Sequence, residues 1–260
     1  MSLSSVALAK RPTGSVFIRG GLEYSGHSLD DLKDYQEFNN EVLADLGLPP
    51  TWENVGRAPG FNLELGYQIR PAISVGIGFA HTKHSGKNSS AGLVDIVNDR
   101  GIYQETRKLS LAQDLGASIS EITGNVMIWV PGAAGLFLGV QGGVGMGDYK
   151  ETWTAVLKGD DFWTVDEFSS DCPGIGFVGG AFAGYDLAFS SGVSAFVKGG
   201  YRQRNLRKLK GRSTSLEDGE PAQHEMTYKD LNGTLKSVGF NFSGLFAAAG
   251  LGFSFGGAER

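Results

Sequence analysis

Three groups of residues in this chain have types and spacings that could do chemistry. His81, His84 and Ser85 fall in "HTKHSG", where an imidazole could activate a hydroxyl for attack on an ester. The run "RQRNLRKLKGR" brings together Arg202, Arg204, Arg207, Lys208, Lys210 and Arg212, whose guanidinium and ammonium groups could hold phosphates. "GGVGMG", residues 142–147, has the glycine density of a phosphate-cradling loop. Each group also has a plainer reading. His84 and Ser85 are adjacent, so on a strand they point to opposite faces, and no acidic residue is assignable as their orienting partner. The glycine run lacks both the Lys-Ser/Thr ending and a following helix, and it sits inside an alternating segment, so it reads as strand glycine. The basic run is balanced by Glu217, Asp218 and Glu220 and reads equally as a solvated strand extension. His27 and His224 are isolated and read as solvated. The single cysteine, Cys172, excludes an intrachain disulfide and a Cys-based metal site; in "SSDCPG" it reads as a loop thiol. No catalytic, metal or cofactor residue follows from these groups.

The totals narrow the classes. The 260 residues suffice for one large β-domain or two ordinary domains. With 41% hydrophobic and 20% charged residues, the chain is neither disordered nor a bundle of membrane helices. No window offers the ~20 consecutive apolar residues of a spanning helix. Glycine is the outlier, at 40 residues without a Gly-X-Y period. A net charge of −5 and a pI near 5.4 argue against a nucleic-acid partner. "MSLSSVALAKRP" is short for a signal peptide, yet Ala7-Leu8-Ala9 has the small-x-small pattern of a cleavage site. A truncated signal peptide and an uninformative tail both remain open for residues 1–13.

The elements that must position the charged residues are strands. Eight segments alternate with a period of two: roughly 15–25, 61–69, 73–79, 119–130, 136–149, 175–187, 193–204 and 238–255. In the sixth both faces are apolar or small, so its phase stays open. Pro71-Ala72, "PGAAG" (131–135) and "AFSSG" (188–192) read as short turns. Long segments, about 26–60, 82–118, 150–174 and 205–237, alternate strictly with them and so emerge at one end of an up-and-down meander. The first long segment predicts a helix, with Ser28 as N-cap, Asp30 and Asp31 in the first turn, a stripe of Leu29, Leu32, Tyr35, Val42 and Leu46, and a stop at Gly47 and Pro49-Pro50.

Which face points inward decides the class. On one face stand continuous apolar rows such as Phe61, Leu63, Leu65, Tyr67 and Ile69. The other mixes glycine and serine with the isolated charges Arg19, Glu23, Glu64, Arg70, Glu121, Lys198, Arg202 and Arg204. A water-facing surface has no reason to prefer glycine over β-formers. A narrow polar lumen does, because small residues leave room for charges to pair. Ten to twelve residues at ~3.3 Å each, tilted by ~40°, span roughly the 25 Å apolar band of a membrane barrel. Tyr24, Tyr67, Tyr149, Tyr185 and Tyr201 fall toward row ends, where an interfacial girdle would place them. In lipid, alternating strands span only as a closed barrel. The expected fold is therefore all-β: an eight-stranded antiparallel up-and-down transmembrane barrel over residues 14–256, followed by a tail at 257–260. Its lumen network would comprise Arg19, Glu23, Glu64, Arg70, Glu121, Lys198 and Arg202. Eight strands leave an interior wide enough only for side chains, so these charges read as structural rather than as a conduction path.

The even strand count, strict alternation and short turns opposite long loops resemble the small outer-membrane barrels of the OmpA/OmpX/OmpW type. So does the ending Gly250-Leu251-Gly252-Phe253-Ser254-Phe255. The resemblance implies an assembly signal at Gly250, Phe253 and Phe255, recognised by the outer-membrane assembly machinery. Ala248 stands where a polar residue is usual, and five residues follow the last Phe. It further implies a bacterial outer-membrane location and envelope lipids as partners, and in such a membrane the guanidinium and ammonium groups of Arg207, Lys208, Lys210 and Arg212 could hold lipopolysaccharide phosphates. A structural, adhesive or surface-interaction role is expected. The rivals are a narrow channel for small or hydrophobic solutes, a lipid A-modifying barrel enzyme built on the His81–Ser85 group, and a soluble ligand-binding barrel.

Overall fold

The computed structural model describes residues 13–26, 37, 40–41, 43–49, 57–97, 101, 103–133, 135–158, 163–190, 192–206, 210–215, 222–225, 227–229, 235–237 and 240–256. Seven long strands come first: β1 (Val16–Gly26), β2 (Arg57–Arg70), β3 (Ile73–Val97), β4 (Tyr103–Trp129), β5 (Leu136–Lys158), β6 (Trp163–Ala188) and β7 (Val193–Leu206). Five short ones follow: β8 (Lys210–Ser215), β9 (Ala222–Glu225), β10 (Thr227–Lys229), β11 (Leu235–Ser237) and β12 (Phe240–Asn241). The last, β13 (Gly244–Phe255), closes the ring. Each of β1 to β6 pairs antiparallel with its successor, β7 pairs with β13, and β13 returns to β1 with Val16 opposite Phe255. The result is a closed eight-stranded up-and-down barrel with no free edge in its wall.

The alternation read from the sequence sorts the two faces as expected. Leu22, Leu65, Ile77, Ile122, Val140, Val144, Ile175, Phe177 and Leu245 are at least half exposed on the outside, whereas Arg19, Arg202 and Arg204 are among the largest fully buried side chains. The interior is therefore the polar face. Small residues there accommodate large ones from the neighbouring strand, as Gly66 does opposite Phe17 and Gly184 opposite Phe137. A Cβ at Gly66 would lie 2.0 Å from Cζ of Phe17, and one at Gly184 would lie 2.3 Å from Cζ of Phe137. Where β1 meets β13, Gly21 and Gly250 face each other so closely that a Cβ on either would strike the opposite backbone.

Several expectations are corrected. Within the segments expected as loops, residues 82–97, 103–118, 150–158 and 163–174 are strand instead. The ladder between β3 and β4 continues from the barrel wall out to Val97 opposite Tyr103, and that between β5 and β6 out to Lys158 opposite Trp163. Beyond the apolar band the outward row is no longer continuously apolar, so the pattern that flags a spanning strand stops while backbone pairing goes on. Cys172 accordingly lies in β6, buried, rather than in a loop. Tyr149 belongs to no exterior girdle; it sits on the inward row of β5 with 0% exposure. The phase of β6 is settled by Val178, Phe182 and Asp186, which are buried inside.

The extensions of β3, β4 and β5 carry a second apolar core. Leu43 and Leu48 of the first long connection are buried against Val94, with Ile96, Leu109, Leu111 and Leu157 packed around them. Glu37, Asn40, Glu41 and Leu43–Asp45 are helical, and Gly47 adopts a positive φ of 71° where the helix stops. Leu46, predicted on the apolar stripe, is 43% exposed. Ser28, Leu29, Asp30, Asp31, Leu32, Tyr35 and Val42 lie outside the described residues, as do His27, residues 1–12 and residues 257–260.

Candidate functional site: the lumen network and the sheet above it

The charged side chains of the lumen fall into two clusters, each held together by acids that its cations share. Toward the turn end, Arg19 Nη2 donates to Asp186 Oδ2 at 2.9 Å, and its Nη1 lies 3.7 Å from Glu64 Oε1. Lys198 Nζ reaches the other oxygen of Glu64 at 3.3 Å. The Arg19 guanidinium also lies 4.7 Å from the ring centre of Phe137, 5.0 Å from Phe17 and 5.3 Å from Trp129, so rings replace water around it. Toward the loop end, Arg202 Nη1 bridges Glu23 Oε1 at 2.5 Å and Glu121 Oε1 at 2.6 Å. Arg204 Nε donates to Glu121 Oε2 at 2.7 Å. Arg202 stacks on Phe246 at 3.8 Å. The set holds Arg19, Lys198, Arg202 and Arg204 against Glu23, Glu64, Glu121 and Asp186, four charges of each sign. Buried charges are costly unless paired, and each of the eight has an oppositely charged partner within the set.

Of the residues expected in this network, Arg19, Glu23, Glu64, Glu121, Lys198 and Arg202 come together, and Arg204 joins them. Arg70 does not. Gln68 pairs with Ser74 but Arg70 with Ile73, so Ile69 is an extra residue and the bulge turns Arg70 outward, where it is exposed. Asp186 escaped the sequence reading because neither face of β6 was distinctly polar. Its position two residues beyond Gly184, on the glycine row, was the available signal.

Apolar side chains fill the lumen around the ions. Phe17, Met127, Phe137, Phe182 and Phe246 form one cluster with Trp129 against it. Away from that cluster, the inward rows of β2 and β3 and the inward positions at 123–125 and 139–147 are mostly small or polar. There both polar atoms of Asn62, Thr82 Oγ1, Asn125 Oδ1 and Gln141 Nε2 are buried without a hydrogen-bond partner among the described residues.

The other candidates are placed as follows. His84 points inward and Ser85 outward, so they do not pair. His81 instead meets Ser120 of β4, Nδ1 to Oγ at 2.9 Å, on the outer face beside Phe61. Gly143, Gly145 and Gly147 of "GGVGMG" are on the inward row of β5, alternating with outward Val144 and Met146. Arg207 and Lys208 lie outside the described residues. Lys210 and Arg212 are described in backbone only, in β8, which pairs with β6 and β9. His224 is likewise a backbone position in β9. Phe253 and Phe255 face outward on the closing strand, 44% and 57% exposed.

Above the apolar band, Lys150 bridges Asp148 at 3.6 Å and Asp171 at 3.1 Å on the outer face of β5 and β6. Desolvation, followed by the hydrogen bond to Asp171 and its like charge, holds the Asp148 carboxyl above its ordinary value. The hydrogen bond to Asp171, with both negative charges, holds Lys150 above its own. On the inner face at a similar level, Asn88, Gln113 and Trp153 are consecutive register partners across β3, β4 and β5. Gln113 Nε2 and Trp153 Nε1 both donate to Glu151 Oε1, the second at 2.6 Å. Among the described residues, no group of three or more His, Cys, Asp or Glu could hold a metal ion.

No protein-family model and no curated protein matches the chain. Solved structures do. Ail, the attachment invasion locus protein of Yersinia pestis, in complex with the heparin analogue sucrose octasulfate, is 13% identical with a TM-score of 0.44, covering 94% of this chain and 99% of its own. The outer membrane protein OprG of Pseudomonas aeruginosa is 11% identical with a TM-score of 0.43, covering 95% and 98%. CarO of Acinetobacter baumannii is 11% identical with a TM-score of 0.37, covering 94% and 98%. These likenesses concern architecture.

Proposed function

We propose that this chain is an outer-membrane barrel whose lumen is closed and whose work is done by the sheet it raises above the membrane, in a structural, adhesive or surface-interaction role. The observation that carries this reading is the pairing of a packed, charge-neutral interior with ordered extensions of β3 to β6. The apolar outer face fits lipid contact, since open sheet edges are not tolerated in hydrocarbon and this wall has none. The four strands then continue past the band as one laddered sheet with its own small core, which suits a rigid surface for partners better than mobile loops would. The test has two arms. Reconstituted in planar bilayers, the purified barrel shows no conductance steps. Cells displaying a variant with residues 86–115 replaced by a tight turn lose surface attachment while the barrel still assembles. Conductance in the parent, or attachment unaffected by the deletion, sinks this reading.

A narrow channel is the second reading, favoured by the unpartnered polar atoms of Asn62, Thr82, Asn125 and Gln141 along one wall, which water would satisfy. Conductance in the same bilayers, abolished by Gly143→Val, supports it. Lipopolysaccharide contact through Arg207, Lys208, Lys210 and Arg212 belongs to the main reading. Unchanged lipopolysaccharide association of an Arg207→Ser/Lys208→Ser/Lys210→Ser variant overturns it. Recognition of Gly250, Phe253 and Phe255 by the assembly machinery is part of the same proposal.

A further inference from the structure

The inner face of the extended sheet carries a cleft whose chemistry is unlike that of the lumen below it. Asn88, Ser90, Gln113 and Trp153 line it between Leu43 of the first connection and Leu111 of β4. Its floor is polar and fixed. Glu151, 1% exposed, accepts from both Gln113 and Trp153, and Asn88 Nδ2 points to Gln113 Oε1 at 3.4 Å. Ser90 is held by donating to the Pro49 carbonyl at 2.9 Å. The enclosed part has room for roughly one water molecule, and the rest opens outward.

We propose that this cleft binds a neutral pyranose, with one hydroxyl seated in the floor and the ring laid against the Trp153 indole. A sugar hydroxyl has the size and the donor-acceptor character of the water the floor can hold. An amide whose orientation is set by a buried carboxylate loses little entropy on accepting it. The indole is half-buried and tied down through its Nε1, so its apolar surface is preorganised for the C–H face of a sugar ring. None of the described residues lining the cleft is basic, and Glu151 beneath it disfavours sulfated, phosphorylated or acidic ligands. Placement above the apolar band, facing away from lipid, suits a saccharide from another surface or from the envelope itself.

The inference rests on the reading of the extension as the exposed, partner-facing part of the protein. It is tested separately from the closure of the lumen. The purified chain in amine-oxide micelles is titrated with methyl β-glucoside, methyl β-galactoside and methyl N-acetyl-β-glucosaminide, followed by tryptophan fluorescence and saturation-transfer NMR. Alkyl glycoside detergents are avoided because they would compete. Triglycine serves as the peptide probe. Saturable millimolar binding of at least one glycoside is expected, with Gln113→Leu and Asn88→Leu each weakening it by about tenfold or more, and Trp153→Phe retaining most of it. Asn88 is at the rim and half-buried, so its variant keeps the test open even if Gln113→Leu fails to fold. Absence of saturation by all three glycosides, binding of triglycine alone, or parent-like binding by the folded Asn88→Leu variant overturns the proposal. Conductance steps would sink the closed-lumen reading and leave this one standing.

Discussion

Glu121→Gln puts the neutrality of the lumen to its most direct test. The Glu121 carboxylate lies 2.6 Å from Arg202 Nη1 and 2.7 Å from Arg204 Nε, and its side chain is 2% exposed. Replacing it with an isosteric amide keeps the volume and leaves Glu23 alone between two guanidinium groups. At an effective dielectric of ~20 and the roughly 4 Å usual between charge centres, each lost attraction is worth about 4 kcal/mol before desolvation is counted. Part of that loss is recovered because the amide oxygen still accepts one hydrogen bond. Removal of one partner from a buried ion pair costs about 3–5 kcal/mol, and that range is the expected destabilisation. Unfolding by guanidinium from lipid vesicles, followed by tryptophan fluorescence and heat-modifiable gel mobility, measures it. A second variant isolates the cause. Glu121→Gln/Arg204→Met removes the uncompensated charge as well, so it should be more stable than the single variant despite carrying two changes. A Glu121→Gln barrel within about 1 kcal/mol of the parent, or a double variant less stable than the single, would refute the claim that paired charge, rather than shape, holds this layer.

Three further outcomes are expected. Gly66→Ala places a methyl group 2.0 Å from the Phe17 ring, which is fully buried and hemmed in by Arg19, so overpacking should cost about 1–3 kcal/mol; Phe17→Leu in the same chain should restore part of it, as read by the same unfolding assay. Asp148 binds its proton more tightly when folded, so the stability it contributes is full below its ordinary pKa and is lost as pH rises through the raised folded value. Asp148→Asn removes that loss, while Lys150 keeps Asp171, so the melting temperature of the variant should exceed the parent's at pH 7 by more than it does at pH 3. Phe253→Ala/Phe255→Ala removes two outward rings from the closing strand and should slow insertion of newly made chains into native outer membranes more than it slows spontaneous folding into pure lipid vesicles; equal slowing in both would assign the rings to lipid contact alone.

The alternation of Phe61 to Ile69 and of Ile122 to Val130 was enough to define the wall of the barrel, because a period of two forces every second side chain to one face, and lipid imposes a continuous apolar row on the outer one. The same rule exposed Arg19, Glu23, Glu64, Glu121, Lys198, Arg202 and Arg204 as inward charges, since an isolated charge on the glycine row has nowhere else to go. The phase of β6 was not legible: Val178, Phe182, Ile175 and Phe177 are all apolar on both faces, and only the ladder to β5 and β7 puts Asp186 beside Arg19. Arg70 went astray because a bulge of one residue at a turn reverses the face, and strand periodicity carries no mark of it. The raised sheet was hidden for a different reason. Residues 82–118 lose the apolar row once they leave the lipid, so what remains looks like loop, although the backbone goes on pairing rung by rung to Val97 and Tyr103. Which cation meets which acid depends on strands distant in sequence, brought together by closure of the ring, and the meeting of Asn88, Gln113 and Trp153 over Glu151 depends on the register of the β3–β4 and β4–β5 ladders. Local spacing carries no information about either.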